Sequence, residues 1–210
     1  MIDLDLQMKR YFISGIGTGV GKTVMSAILC EALQADYWKP VQAGDLENSD
    51  TLTAQGLISN AKTQFHKEAY RLPFALSPHA SAENAGINID ISQIQVPQTN
   101  NTLVIEGAGG LMVPINYETV YIDLLPHWNV EIVLVSRHYL GSINHTLLSA
   151  ELLKQRNISV KGIVFNGHEN PQSEKVILKL TGLEMLGRIP ETSSIDKQFI
   201  KNHASTFSNL

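Results

Sequence analysis

From Gly15 to Thr23 the sequence reads Gly-Ile-Gly-Thr-Gly-Val-Gly-Lys-Thr, directly after the apolar run Tyr11-Phe12-Ile13 and ahead of a helix-patterned segment. A strand that breaks into glycines and resumes as a helix leaves several backbone N–H groups facing one concavity, with the positive end of the helix dipole behind them. That concavity suits a polyphosphate. Lys22 is placed to reach the outer phosphates and Thr23 to offer a hydroxyl to a magnesium ion, the division of labour of a phosphate-binding loop. The strict pattern requires a glycine where Ile16 stands; the preceding glycine is Gly15, so the loop is one residue longer.

Further polar residues, Lys39, Asp50, Glu106, Ser136 and Asn166, fall directly after predicted strands or on the next helix start. That puts them at one edge of a sheet, beside the loop. Glu106 ends the apolar run Thr102-Leu103-Val104-Ile105. A carboxylate there can contact magnesium directly or through water, or it can pair with Lys22 or Lys39. Asp50 follows Asn48-Ser49 at a helix start and, from this segment alone, reads as a capping or first-turn carboxylate. His79 reads as a polar surface or capping residue.

The elements that must hold these residues alternate. Val24, Ile28, Leu29 and Leu33 make one stripe of a helix over 20–33. A strand follows over 36–41, a turn over 42–45, a capped helix from 51, an extended piece over 69–74, and a loop entering a helix over 77–83. Residues 88–101 read as a weak helix and a turn. Past the strand ending at Glu106, the pattern predicts an extended piece over 112–115 and a helix over 121–125 that stops before Pro126. It continues with a strand over 131–136 and a helix from Gly141 to about Arg156 with Ser142 as N-cap. A strand over 161–167 with Asn166 at its tip, a helix over 173–180, a strand over 185–190 and an exposed helix in the tail 193–210 complete it. Continuous apolar runs in alternation with helices predict an α/β fold, a mostly parallel β-sheet with helices on both faces, in a single domain over 1–210.

Composition narrows the partners. A net charge of -4 over 210 residues, with no Lys/Arg run, leaves no electrostatic footprint for nucleic acid. No apolar run approaches the roughly twenty residues that cross a bilayer, and the acidic leader 1–8 lacks the features of a signal peptide. The one cysteine, Cys30, reads as a buried core thiol in a reducing compartment, the cytoplasm. A small-molecule partner is expected.

Taken in order, Gly15 to Thr23, Tyr37-Trp38-Lys39-Pro40-Val41-Gln42, Asn48-Ser49-Asp50, Ser77-Pro78-His79, Val104 to Gly110, Leu140-Gly141-Ser142-Ile143-Asn144-His145 and Leu186 to Pro190 closely resemble the dethiobiotin synthetase family, whose fold is that of the P-loop NTPases. The longer glycine loop is the form this family uses. The resemblance implies an ATP- and magnesium-dependent cyclo-ligase that converts 7,8-diaminononanoate and CO2 to dethiobiotin, ADP and phosphate. Its course would be a carbamate, its phosphorylation to a carbamic-phosphoric anhydride, and closure of a cyclic urea by the second amine.

Carried over residue by residue, the resemblance assigns Gly17, Thr18, Gly19, Val20, Gly21, Lys22, Thr23 and Val24 to ATP, with Asn166 on adenine. It assigns Thr23, Asp50 and Glu106 to magnesium, and Lys22 and Lys39 to catalysis, Lys39 on the carbamate. Gly109 and the helix start Gly141, Ser142, Ile143 and Asn144 are assigned to substrate, the latter supplied by a neighbouring subunit, which implies a homodimer. The chain departs from the family pattern at Ala43, where Ser or Thr is common, and at Gly19, where some members are acidic; Arg137 matches no block. Two other readings share the nucleotide fold. One is an amidoligase of the cobyrinate diamide type, which needs an ammonia source; the other is a partitioning or septum-positioning ATPase, which carries a lysine near the loop start where Ile16 and Gly17 stand here.

Overall fold

The computed structural model describes residues 8–210; most of the expected leader, residues 1–7, lies outside them. Strand β1 (Arg10–Gly15) is buried along almost its whole length and runs into the glycine loop, after which α1 (Lys22–Leu33) begins. The chain continues through β2 (Asp36–Trp38), β3 (Val41–Ala43), α2 (Asp50–Leu57), β4 (Phe65–His66), β5 (Tyr70–Leu72) and α3 (Pro78–Asn84). Then come β6 (Leu103–Glu106), α4 (Tyr121–Trp128), β7 (Glu131–Arg137), α5 (Ser142–Gln155), β8 (Val160–Asn166), α6 (Pro171–Thr181), β9 (Met185–Ile189) and α7 (Lys197–Ala204).

Seven strands form a parallel sheet in the order β4-β2-β6-β1-β7-β8-β9. The chain builds one side of β1 first, returns through β6, and crosses β1 to β7 and beyond. The crevice outside the C-terminal ends of β6, β1 and β7 is therefore the switch point at which ligands bind in such sheets. The central strands β1, β6 and β7 are apolar and buried, as a sheet covered on both faces requires. The expected fold class is the observed one.

The expected strand over 36–41 is in fact split. Pro40 has no N–H to give to a ladder and cannot continue a central strand. β2 ends at Trp38, and β3 leaves the main sheet to pair in parallel with β5. Lys39 sits at the break.

Other boundaries differ for local reasons. Residues 88–101 form no α-helix, only a single 3-10 turn at Ile91–Gln93, with the Asp90 carboxylate accepting from Ser92 N at 2.9 Å; short polar side chains compete with helical hydrogen bonds in this way. Helix α4 runs through Pro126 to Trp128, since burial of Leu124, Leu125 and Trp128 holds its last turn against the core. Trp128 packs its ring 6.1 Å from Phe12 and 5.5 Å from Trp38, centroid to centroid. Gly141, with φ 102°, caps α5 in place of Ser142, which is the first helical residue and is buried. The tail is not an exposed helix: Ile200, Ala204 and Phe207 are buried, and α7 lies on α1. Cys30 is buried, as expected.

Candidate active site

At the C-terminal ends of the central strands a cleft of about 740 Å³ opens over the glycine loop. The loop prepares an anion site. The amides of Gly17 to Gly21 have no acceptor among the described residues, while Ile16 N donates to Val135 O at 3.1 Å and anchors the loop's start to β7. Gly21, at φ 100°, caps α1 in a conformation that suits glycine. Lys22 Nζ donates to Gly17 O at 3.0 Å, so its ammonium is folded over the loop. Burial, and Lys39 nearby, bring Lys22 down to a pKa of about 8.

Beside the loop, the break at Pro40 turns the side chain of Lys39 inward, where it is 2% exposed. Its Nζ lies 2.6 Å from Asp50 Oδ2, 3.2 Å from Glu106 Oε1 and 3.1 Å from Gly107 O. Burial opposes the charge, but Glu106 and Asp50 outweigh it and hold the ammonium above its ordinary pKa. Asp50 is likewise opposed by burial and held below the usual carboxylate range by Lys39 and by Thr23. It is a first-turn residue of α2; Ser49 is the cap, accepting from Leu52 N at 3.3 Å.

Glu106, fully buried at the tip of β6, gathers three donors: Thr23 Oγ1 at 2.8 Å, Lys39 at 3.2 Å and Tyr37 Oη at 2.9 Å. Thr23 Oγ1 also donates to Asp50 Oδ1 at 3.1 Å. A hydroxyl and two carboxylates thus converge on one point beside the phosphate loop. Hard oxygen donors of this kind suit a magnesium ion that takes its remaining ligands from phosphates and water. Among the described residues no cluster of three or more His, Cys, Asp or Glu side chains forms a cation cage.

Of the residues singled out in the sequence, Thr18, Gly19, Gly21, Lys22, Thr23, Val24, Lys39, Asp50, Glu106, Gly109 and Asn166 all line the cleft. Val20 is buried beneath it, and its carbonyl accepts from Asn166 Nδ2 at 2.8 Å, which leaves the Asn166 carbonyl oxygen free of protein donors among the described residues. Gly17 serves through its carbonyl. Gly141, Ser142, Ile143 and Asn144 do not line this cleft; they open α5 next to a separate apolar groove of about 330 Å³ between α5 and residues 110–114.

The sequence reading passed over several groups. Gln42 positions Asp50: its Oε1 accepts from Asp50 N at 3.2 Å, and its Nε2 donates to Gly44 O at 3.0 Å. Tyr37 is a buried strand residue whose hydroxyl orients Glu106. Ser77, Ile195 and Arg137 also line the cleft, Arg137 braced by Glu191 at 3.2 Å. Gln42 and Arg137 each carried a signal, a polar side chain directly after a predicted strand, and Tyr37 and Ser77 stood in the family-like blocks without a role of their own.

A protein-family model described as an AAA domain matches residues 9–198. The chain is 54% identical to the ATP-dependent dethiobiotin synthetase BioD of Christiangramia forsetii over 95% of its own length and 96% of that protein's. It is 53% identical to the synthetase of the same name from Cytophaga hutchinsonii, over 94% and 96%. The chain belongs to the dethiobiotin synthetase family. Solved structures with the same fold include the cell division ATPase MinD of Pyrococcus furiosus, with a TM-score of 0.56 at 14% identity over 96% of this chain and 99% of that one. A ParA family ATPase of Chlorobium tepidum superposes with a TM-score of 0.54 at 14% identity, over 95% and 90%. Those likenesses are of fold alone. Sequence identity lies with the synthetases, which are ATP-dependent.

Proposed function

We propose that this chain is a single-domain, cytoplasmic, ATP- and magnesium-dependent ligase that carboxylates 7,8-diaminononanoate and closes it to dethiobiotin, with ADP and phosphate as products. The observation that carries the proposal is Lys39. A buried ammonium between two carboxylates, beside a phosphate loop, offers a fixed positive charge that a carbamate can meet at the cleft.

Thr23, Asp50 and Glu106 would hold magnesium, which supplies charge neutralisation at the phosphates. Lys22 and the amides of Gly17 to Gly21 bind and orient the transferring phosphoryl group. The Lys39 ammonium, a compact point charge, holds the carbamate formed when one amine captures CO2. A carbamate oxygen then attacks the γ-phosphorus, ADP leaves, and the second amine displaces phosphate from the mixed anhydride to close the five-membered urea. Each amine sheds its proton along the way. The protein's contribution is positioning and electrostatic stabilisation. Asn166 meets adenine with its free carbonyl oxygen, an acceptor for an exocyclic amino group.

The active unit in this reading is a homodimer. The α5 start at Gly141 to Asn144 presents a helix N-terminus suited to a carboxylate, and it does not line its own cleft, as would fit a part given to a partner's cleft. Tyr139, Leu140, Leu148 and Met112 are exposed around it, which supports burial against a second copy.

The test is a product assay with ATP, magnesium, bicarbonate and the diamine. Dethiobiotin should form, with phosphate release dependent on both diamine and bicarbonate. Stimulation of ATP turnover by DNA or liposomes instead would place the chain with the partitioning ATPases.

A further inference from the structure

Ser77 occupies the N-cap position of α3, where a serine hydroxyl ordinarily accepts from an amide of the first helical turn. It makes no such bond. Its Oγ lies 3.0 Å from Nδ1 of His79 instead, and its position lines the cleft. The surrounding loop is fixed: Phe74 N donates to Ser81 Oγ at 3.0 Å and Leu76 N to Phe74 O at 2.8 Å. The His79 ring packs edge-on against Tyr117, with centroids 5.4 Å apart.

Close by, Gly44 at φ 73° lets the turn after β3 press against the backbone of Ala75, where any Cβ would overlap it. Ala43 and Ser77 therefore line the same end of the cleft. Of the two, only Ser77 carries a polar side chain.

A diamine presents N–H donors, and the groups that receive it must have acceptor capacity left. At this end of the cleft the side-chain carbonyl and the carboxylates already have donors, and the ammonium accepts nothing. Gln42 uses its carbonyl on Asp50 N, and Thr23, Lys39, Asp50 and Glu106 are bonded to one another. Whichever of Ser77 Oγ and His79 Nδ1 carries the shared proton, a lone pair on Oγ remains.

We propose that Ser77 binds substrate directly, its hydroxyl accepting from an amine of the diamine, and that His79 is the positioning residue that holds this hydroxyl away from the helix cap. Ser77 thus supplies, from the α3 side, a polar contact that Ala43 lacks. The inference rests on the diamine reading above.

Because no cap bond is lost, Ser77→Ala should leave the melting temperature and the ATP Kd unchanged. It should raise KM for the diamine roughly ten- to hundredfold, the worth of one hydrogen bond to a charged group, with a smaller effect on kcat. His79→Ala should act in the same direction, and His79→Asn, which keeps a side-chain polar atom near Nδ1, should recover most of the loss. Adding Ala43→Ser to Ser77→Ala should restore part of the affinity. Diamine KM in Ser77→Ala within about twofold of an active wild type would overturn the inference alone. A lowered melting temperature with unchanged KM would show a capping role and overturn it too. A wild type that makes no dethiobiotin would remove the diamine reading and the inference with it.

Discussion

Lys39 separates this site from a bare nucleotide switch. Its ammonium is buried against Asp50 and Glu106, and in the proposed reaction the same charge faces the carbamate. Lys39→Ala should keep ATP affinity within a few-fold while turnover falls by roughly a thousandfold, the scale of an electrostatic group acting in the transition state; nucleotide titration and product assay separate the two. Lys22→Ala should instead weaken ATP itself. The positions of Asp50 and Glu106 were legible in the sequence because one opens a helix and the other ends an apolar run, which sheet topology brings to one edge; Lys39, inside the expected strand over 36–41, owed its assignment to the family resemblance. Ser77 and Tyr37 stood in the family-like blocks, but what they do was not legible. Their roles depend on partners the sequence pattern does not supply, an imidazole that diverts a cap and a carboxylate 69 residues away.

Among the elements, short β4 is tied to the sheet by the buried Asp36. Its carboxylate accepts from Thr99 Oγ1 at 2.6 Å, Gln64 N at 3.1 Å, Asn101 Nδ2 at 3.1 Å and the His66 ring at 3.2 Å. Burial favours its neutral form, but these donors outweigh burial and hold the carboxyl below its ordinary pKa. A depressed carboxyl stabilises fully above its unfolded value, about 3.9, and loses that contribution as pH falls through the folded value. Asp36→Asn should therefore cost about 1–3 kcal/mol at pH 7, with the gap to wild type closing below about pH 4; urea midpoints across pH check this. Pro40 was present in the sequence, yet the run over 36–41 reads as one strand unless the missing N–H is weighed above the apolar pattern. The tail was misread for the opposite reason. Ile200 and Phe207 are few and widely spaced, and only their packing shows them to be anchors on the core.

For the whole molecule, alternation of strands and helices was enough to give the parallel sheet, whereas a site shared between two copies, as proposed above, would leave no mark in one chain's periodicity. The homodimer reading makes two predictions. Leu148→Glu, on the exposed face of α5, should dissociate the protein in sedimentation velocity and abolish dethiobiotin formation. Mixing inactive Lys39→Ala protomers with inactive Asn144→Ala protomers should recover about a quarter of wild-type activity after exchange, because half the dimers would be mixed and each would carry one intact site. Removal of magnesium by chelation should stop phosphate transfer, with activity returning on its readdition. The most direct measurement is phosphate release from ATP in the four combinations of diamine and bicarbonate, followed together with dethiobiotin. The account predicts release only when both are present, in equal amounts with dethiobiotin; equal ATP turnover without the diamine would contradict it.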